Sequence, residues 1–207
     1  MLPIEEATDE KLIQLMVGRK VGLFPKEKAE VAEPVLEVRN LSGTNGVTDV
    51  SFTVRKGEIV GLAGLVGAKR TEVARLICGI DRITGGEIRI EGQRVRIHSP
   101  ADAVKYGIGW IPEDRKQHGL LLSMTVAQNI SMAILRRISN ALSILKAKKE
   151  KEIAGSYVKT LSIATPSLRQ TVKNLSGGNQ QKVVLAKWLS TEPKLLIMDE
   201  PTRGIDV

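Results

Sequence analysis

The sequence predicts an α/β fold built around a phosphate site, and three stretches carry that prediction. The first is Leu195-Leu196-Ile197-Met198, an apolar run of strand length that ends on Asp199-Glu200. Two carboxylates at the tip of a buried strand are costly unless they serve a cation or a reaction. Asp199 is therefore read as a Mg²⁺ ligand and Glu200 as the group that polarises an attacking water. The second stretch is Leu175-Ser176-Gly177-Gly178-Asn179-Gln180-Gln181, which opens a helix because Val183, Val184, Leu185, Trp188 and Leu189 recur at helical spacing. A helix start made of small residues presents free N–H groups and a partial positive charge, which suits a phosphate. The third is the apolar run 59–63, followed by Gly64-Leu65-Val66-Gly67-Ala68-Lys69-Arg70-Thr71 and then a helix from Glu72.

Composition narrows the class. A chain of 207 residues has room for one domain with a proper core. No apolar run approaches the roughly 20 residues of a membrane span, and the acidic, amphipathic start is not a signal peptide. One cysteine, Cys78, excludes an internal disulfide, and with two histidines a structural zinc site is not credible. The net charge of +8 raises nucleic acid as a partner. The basic residues are dispersed, however, and the densest run, 146–152, alternates sign like a solvated helix face. No nucleic-acid partner is expected.

Taken in order, residues 8–19 read as a short helix that Thr8 or Asp9 can cap, and Pro25 and Pro34 mark a linker behind it. Short β-like runs follow at 35–41, 47–54, 58–63, 87–90 and 94–97. Residues 101–106 fit a turn or two of helix and 107–111 a strand, with Pro112-Glu113-Asp114-Arg115-Lys116 after it. Thr125 caps a helix over 126–135, and 148–161 is a longer amphipathic helix with Ile153, Tyr157, Val158 and Leu161 on one side. Thr165-Pro166-Ser167 ends that pattern before the Leu175 segment.

The Leu175 and Leu195 segments at their fixed spacing, with Pro201-Thr202-Arg203-Gly204-Ile205-Asp206 behind, resemble the nucleotide-binding domains of ABC transporters. Thr165-Pro166-Ser167-Leu168 before and the Asp199–Asp206 run after are similar, more narrowly, to the second domain of the tandem ATPases that energise bacterial monosaccharide importers. The resemblance implies a P-loop NTPase of ABC type: a mixed or parallel core sheet with helices, an antiparallel β lobe and a helical subdomain at about 119–164. It implies a domain over 35–207 lacking C-terminal strands and helices, behind a helix and linker at 1–34 handed over from a preceding domain. In such domains each ATP lies between the P-loop of one copy and the signature motif of the other. By resemblance, Ser176, Gly177, Gly178 and Gln180 belong to the signature, Asp206 to the D-loop, and Thr71 and Asp199 to Mg²⁺. The implied partners are a first nucleotide-binding domain and an integral membrane sugar permease, at the cytoplasmic face of the inner membrane. The next strand of the fold would run between those carrying Asp199 and Gly64, so a gap is expected there.

Departures from the family pattern are as informative as the matches. The P-loop pattern calls for Gly, Lys and Ser/Thr where this chain has Lys69, Arg70 and Thr71. A Cβ at position 69 costs on the order of 1–2 kcal/mol if that backbone is left-handed, and Arg70 brings a wide planar fork in place of a slim ammonium. Thr71 keeps a hydroxyl for Mg²⁺. Gly64, Gly67, Ala68 and Glu72 complete this candidate phosphate loop, although a plain strand–helix turn would read the same way. Glu113 stands where the family usually carries a glutamine that senses the γ-phosphate. The loop Ser42-Gly43-Thr44-Asn45-Gly46 holds no aromatic to stack on adenine. Three functions follow: the signature-donating half of a sugar-import ATPase, a soluble ABC ATPase of translation or DNA repair, and a regulatory nucleotide sensor.

Overall fold

A computed structural model describes residues 29–202. The expected helix at 8–19, the linker ahead of residue 29 and the D-loop residue Asp206 lie outside the described residues.

Alternating apolar residues build the first layer. Strands β1 (Pro34–Gly43), β2 (Val50–Arg55), β3 (Ile83–Ile90) and β4 (Gln93–Val95) form an antiparallel sheet in the order β2-β1-β3-β4. Leu36 pairs with Ile90 and Val38 with Ile88, so both strands turn the same apolar face inward. A strand repeats every two residues, yet Val38 and Leu41 are both buried. The ladder absorbs the extra residue in an irregularity at Asn40, which has φ 49°. Opposite it sits Gly86 at φ 81°, where any Cβ would run into the carbonyl oxygens of Arg39 and Asn40.

The expectation for 58–63 fails. These residues form no strand, and Ile59 is 98% exposed. A strand exists only through its neighbours' N–H and C=O groups, and among the described residues none pairs alongside. Instead a cavity of about 640 Å³ opens here, lined by Ile59, Val60 and Leu62 on one wall and Leu195, Ile197 and Asp199 on the other. The parallel sheet is accordingly just two strands, β5 (Ile108–Ile111) and β6 (Leu195–Met198), and β6 pairs only with β5 among the described residues.

Helices α1 (Arg70–Ile77) and α2 (Pro100–Lys105) pack near the antiparallel sheet. The β1/β3 face, Val73, Leu76 and Ile77 of α1, and Ile108 share one core. Cys78 is buried in it with its thiol pushed up to about 12 by desolvation, so it is a packing residue and not a nucleophile. A second core gathers Ile111 with α3 (Val126–Ser131), α5 (Ala147–Thr160) and α6 (Gly177–Leu189). Strand β5 thus has one end in each core. The helix expected over 126–135 begins at its predicted cap, where Thr125 and Gln128 form a reciprocal box. It is shorter than expected: it passes into a 3₁₀ turn at Met132–Ile134 and a single turn α4 (Leu135–Ile138).

Candidate functional site

Strand β6 delivers its carboxylates as its apolar pattern requires. The Asp199 N–H donates to the Ile111 carbonyl at 2.9 Å, which continues the parallel ladder one residue past Met198. This fixes the Asp199 backbone at the strand tip. Its Oδ2 is buried and has no hydrogen-bond partner. A carboxylate oxygen in that state is costly, and a cation ligand removes the cost. Glu200 follows at φ 43°, a left-handed conformation that turns the chain sharply after the strand.

Facing this tip is the loop before α1. Ala68 N–H closes a turn onto the Leu65 carbonyl at 3.0 Å, Gly67 takes φ 86°, and Gly64 lies so near Ala68 that a Cβ there would sit 2.6 Å from its methyl. Lys69 is the residue before the helix and adopts φ 63°, ψ 25° with no side-chain cap. It therefore carries the left-handed strain that glycine avoids. Its ammonium lies 3.6 Å from Glu72, and a Cβ on Gly46 would come within 3.7 Å of it. The Lys69 side chain thus leaves the loop toward the turn at Gly46. Arg70 points the other way, its Nη2 at 3.4 Å from Glu200 Oε1, and Arg70, Asp199 and Glu200 all line the 640 Å³ cavity. Arg70 is 34% and Glu200 46% exposed. A pair that open contributes about 0–1 kcal/mol, so it places the two groups together without locking them. Thr71 and Glu72 are half-buried in the first turn of α1.

The turn 42–46 is braced from beneath. Asn45 Nδ2 donates to Asp81 at 2.8 Å and to the Glu72 carbonyl at 3.0 Å, while Arg75 grips Asp81 with two bonds of 2.7 and 2.8 Å. The Arg75 bonds, followed by that of Asn45, hold the Asp81 carboxyl below its ordinary range. Nothing in the sequence separates Asn45 from an ordinary loop asparagine, since its partners lie 27 and 36 residues away.

The second candidate group stands elsewhere. Ser176 caps α6, its exposed hydroxyl accepting from Asn179 Nδ2 at 2.9 Å, while Asn179 Oδ1 accepts from the Ala164 N–H at 2.8 Å. Gly177 and Gly178 form the first turn. Gln180 is the exception among the expected ligands: it is buried, and its amide donates to the Val172 carbonyl at 3.2 Å. Helical spacing places it inward with Val183, Val184 and Lys187, so it braces the turn from inside. None of these residues lines the cavity that Arg70, Asp199 and Glu200 share. Glu113 sits half-buried in the bend just after β5.

Behind the bend, Asp114 caps a single π-helical turn (Arg115–Gly119), accepting from Lys116 N–H at 2.8 Å and Gln117 N–H at 3.1 Å. Lys187, from the buried face of α6, donates to the Gly119 carbonyl at 2.5 Å and lies 5.2 Å from the Trp188 ring centre. One buried cation thereby ties the helix that Ser176 opens to the segment that follows Glu113. Its spacing from Val183 and Val184 marked it as inward-facing, a signal the apolar pattern alone passes over. Burial lowers the Lys187 ammonium to about 8. The unfolded lysine titrates near 10.4, so between these values the unfolded chain binds more protons and stability rises with pH. We expect Lys187→Met to abolish that rise. The buried Cys78 thiol works the other way, because it ionises in the unfolded chain from about 8.5 but not in the folded one. The change in urea midpoint from pH 7 to pH 10 should therefore be more negative in the variant than in the wild type; an equal change in both would place the effect elsewhere.

Comparison with known proteins fits this geometry. The sequence pattern of the ABC transporter family matches residues 47–203. A ribose import ATP-binding protein of Rubrobacter xylanophilus is 50% identical over 207 residues, covering 100% of this chain and 41% of that protein. A putative ribose/galactose/methyl galactoside import ATP-binding protein of Burkholderia cenocepacia is 48% identical over 208 residues, with the same shares of 100% and 41%. The chain thus spans about two fifths of the length of these relatives. Among solved structures, an ATP-binding cassette of an ABC transporter in its ADP conformation superposes with TM-score 0.67 at 24% identity, over 84% of this chain and 72% of that one. A dimeric cassette in a post-hydrolysis state bound to ADP and Pi gives 0.69 at 21% identity, over 83% and 76%. Both show the fold.

Proposed function

This chain belongs to the ABC transporter family, and on that premise we propose that it is the signature-donating half of a tandem ATPase that drives monosaccharide import. One observation carries the reading: the chain's two sets of chemical groups are unequal. Ser176, Gly177 and Gly178 form a capped, outward-facing helix start in good order. The loop at 64–71 instead carries a strained Lys69 turned toward Gly46 and an Arg70 turned toward Glu200. Donating a signature to a partner's ATP makes no demand on the chain's own phosphate loop, so one can depart from the pattern while the other stays intact.

In this reading Ser176 and the first-turn N–H groups of α6 close over the γ-phosphate of an ATP held by a partner nucleotide-binding domain. The chain's own site would hold MgATP more weakly. Thr71 and the partnerless Asp199 Oδ2 are the groups that would hold Mg²⁺, which supplies charge neutralisation on the phosphates. Glu200 would polarise the attacking water, but its carboxylate must first leave Arg70. The relatives' names, ribose and galactose import ATP-binding proteins, support a sugar permease as the membrane partner and a peripheral place at the cytoplasmic face of the inner membrane. No helix among the described residues is long and apolar enough to cross a membrane itself.

The test is steady ATP turnover by this chain alone and joined to the first nucleotide-binding domain of such an importer. The chain alone should turn over little, and the joined form should turn over steadily. Turnover by the isolated monomer at a rate independent of protein concentration would overturn the assignment.

A further inference from the structure

Between α4 and α5 the chain makes a short hairpin that no part of the ATP chemistry uses. Ser139 and Leu145 pair across its base, and the Lys146 N–H donates to the Ile138 carbonyl at 2.9 Å. The Asn140 N–H donates to Ile144 O and the Ser143 N–H to Asn140 O, both at 2.9 Å. The Asn140 side-chain oxygen accepts from Leu142 N–H at 3.0 Å and Ile144 N–H at 2.9 Å, with Ser143 in the left-handed region at φ 60°. A turn with this many internal bonds is a built feature and not a slack connection. What it presents is apolar: Leu142 is 80% and Ile144 59% exposed, with Leu145 beside them at 36%. Exposing such side chains on a rigid tip is unfavourable in water, and single surface apolar residues rarely cluster in this way.

The charges around the tip are of one dominant sign. Arg136 precedes the base, Lys146 follows it, and Lys148 and Lys149 lie in the first turn of α5; all are exposed. Of the nearby acids, Glu150 is turned inward, accepting from Ser131 Oγ at 2.6 Å, and the exposed Glu192 is paired with Arg137 at 3.0 Å, which leaves Glu152 as the other exposed acid among these cations. Long cationic side chains flanking a projecting apolar tip match the chemistry of a bilayer interface, where the tip enters the acyl boundary and the ammonium groups meet anionic headgroups. We propose that the 139–145 hairpin docks the protein on an anionic lipid surface. A membrane fits better than a protein partner because the anchors are few and the two main ones, Leu142 and Ile144, stand mostly in solvent. A protein would need a pocket shaped to Leu142 and Ile144, whereas a bilayer needs only apolar depth and negative charge.

The test is co-flotation of the full chain with vesicles of phosphatidylcholine and phosphatidylglycerol in equal parts, against vesicles of phosphatidylcholine alone. Each cation held at an anionic surface is worth roughly fivefold in partitioning, so the anionic vesicles should bind at least tenfold more protein, and less as salt rises. Leu142→Asp/Ile144→Asp should lower binding tenfold or more, and Lys148→Glu/Lys149→Glu comparably, with unchanged circular dichroism. Because Cys78 is buried with its thiol pushed up to about 12, a Leu142→Cys variant takes an environment-sensitive dye selectively, and that dye should shift to the blue on anionic vesicles only. Equal binding to both vesicles, or binding indifferent to the tip substitutions, would overturn the proposal. So would a blue shift produced by a detergent-solubilised permease and not by lipid, which would make the hairpin a protein contact.

Discussion

Ser176→Arg in the two-domain assembly should abolish steady ATP turnover while leaving nucleotide binding by this chain's own site unchanged. The expected loss is large for two physical reasons. The Ser176 hydroxyl stands at an exposed helix start, where a guanidinium would fill the space a γ-phosphate must enter and would remove the cap, itself worth about 0.5–2 kcal/mol. The helix beneath stays anchored by Gln180 on Val172, Tyr157 on the Leu189 carbonyl and Lys187 on Gly119, so the fold survives the change. Binding measured with a fluorescent ATP analogue separates the two effects. If the variant's own nucleotide affinity falls along with turnover, Ser176 serves this chain's site and the division of labour is wrong.

The second large effect concerns the loop. Lys69→Gly/Arg70→Lys should tighten MgATP binding by the isolated chain about tenfold, equivalent to about 1.4 kcal/mol. Glycine takes φ 63° without a Cβ penalty and removes the side chain that leans toward Gly46. A lysine at 70 reaches phosphate as a point charge, and the Arg70 contact to Glu200 goes with it. Arg70→Lys alone should give little, because the strained turn at Lys69 remains. Even the double variant lacks an aromatic in 42–46, and base stacking contributes roughly 1–3 kcal/mol where present. Isothermal titration of the three proteins decides it; equal affinities would show that the loop's departures from the P-loop pattern do not limit binding.

How far the sequence could be read follows from what each feature depends on. The alternation in β1, the apolar run of β6 and the helical spacing of α6 are local patterns, and each element appears where its pattern places it. The left-handed Lys69 was legible too, as the consequence of a glycine position filled by another residue. Residues 58–63 carry an equally good strand pattern and form none, because a strand is a property of two chain segments and the space beside this one is a cavity. The same limit hides the Asn45–Asp81–Arg75 brace and the Lys187 tie to Gly119, whose partner lies 68 residues away. Gln180 shows the reverse case: its motif position carries no sign of burial, while helical geometry turns its side chain into the core and onto the Val172 carbonyl.

Steady ATP turnover of the joined two-domain assembly carrying Glu200→Gln tests the central claim most directly. The substitution keeps size and removes the charge that would activate water, so it disables hydrolysis in this chain's own site alone. If Ser176 to Gly178 serve an ATP held by the partner, and the site of Arg70 and Glu200 contributes little, most of the turnover persists, and the matching change in the partner domain abolishes it. Complete loss of turnover on Glu200→Gln would show that both sites fire, and would contradict the account.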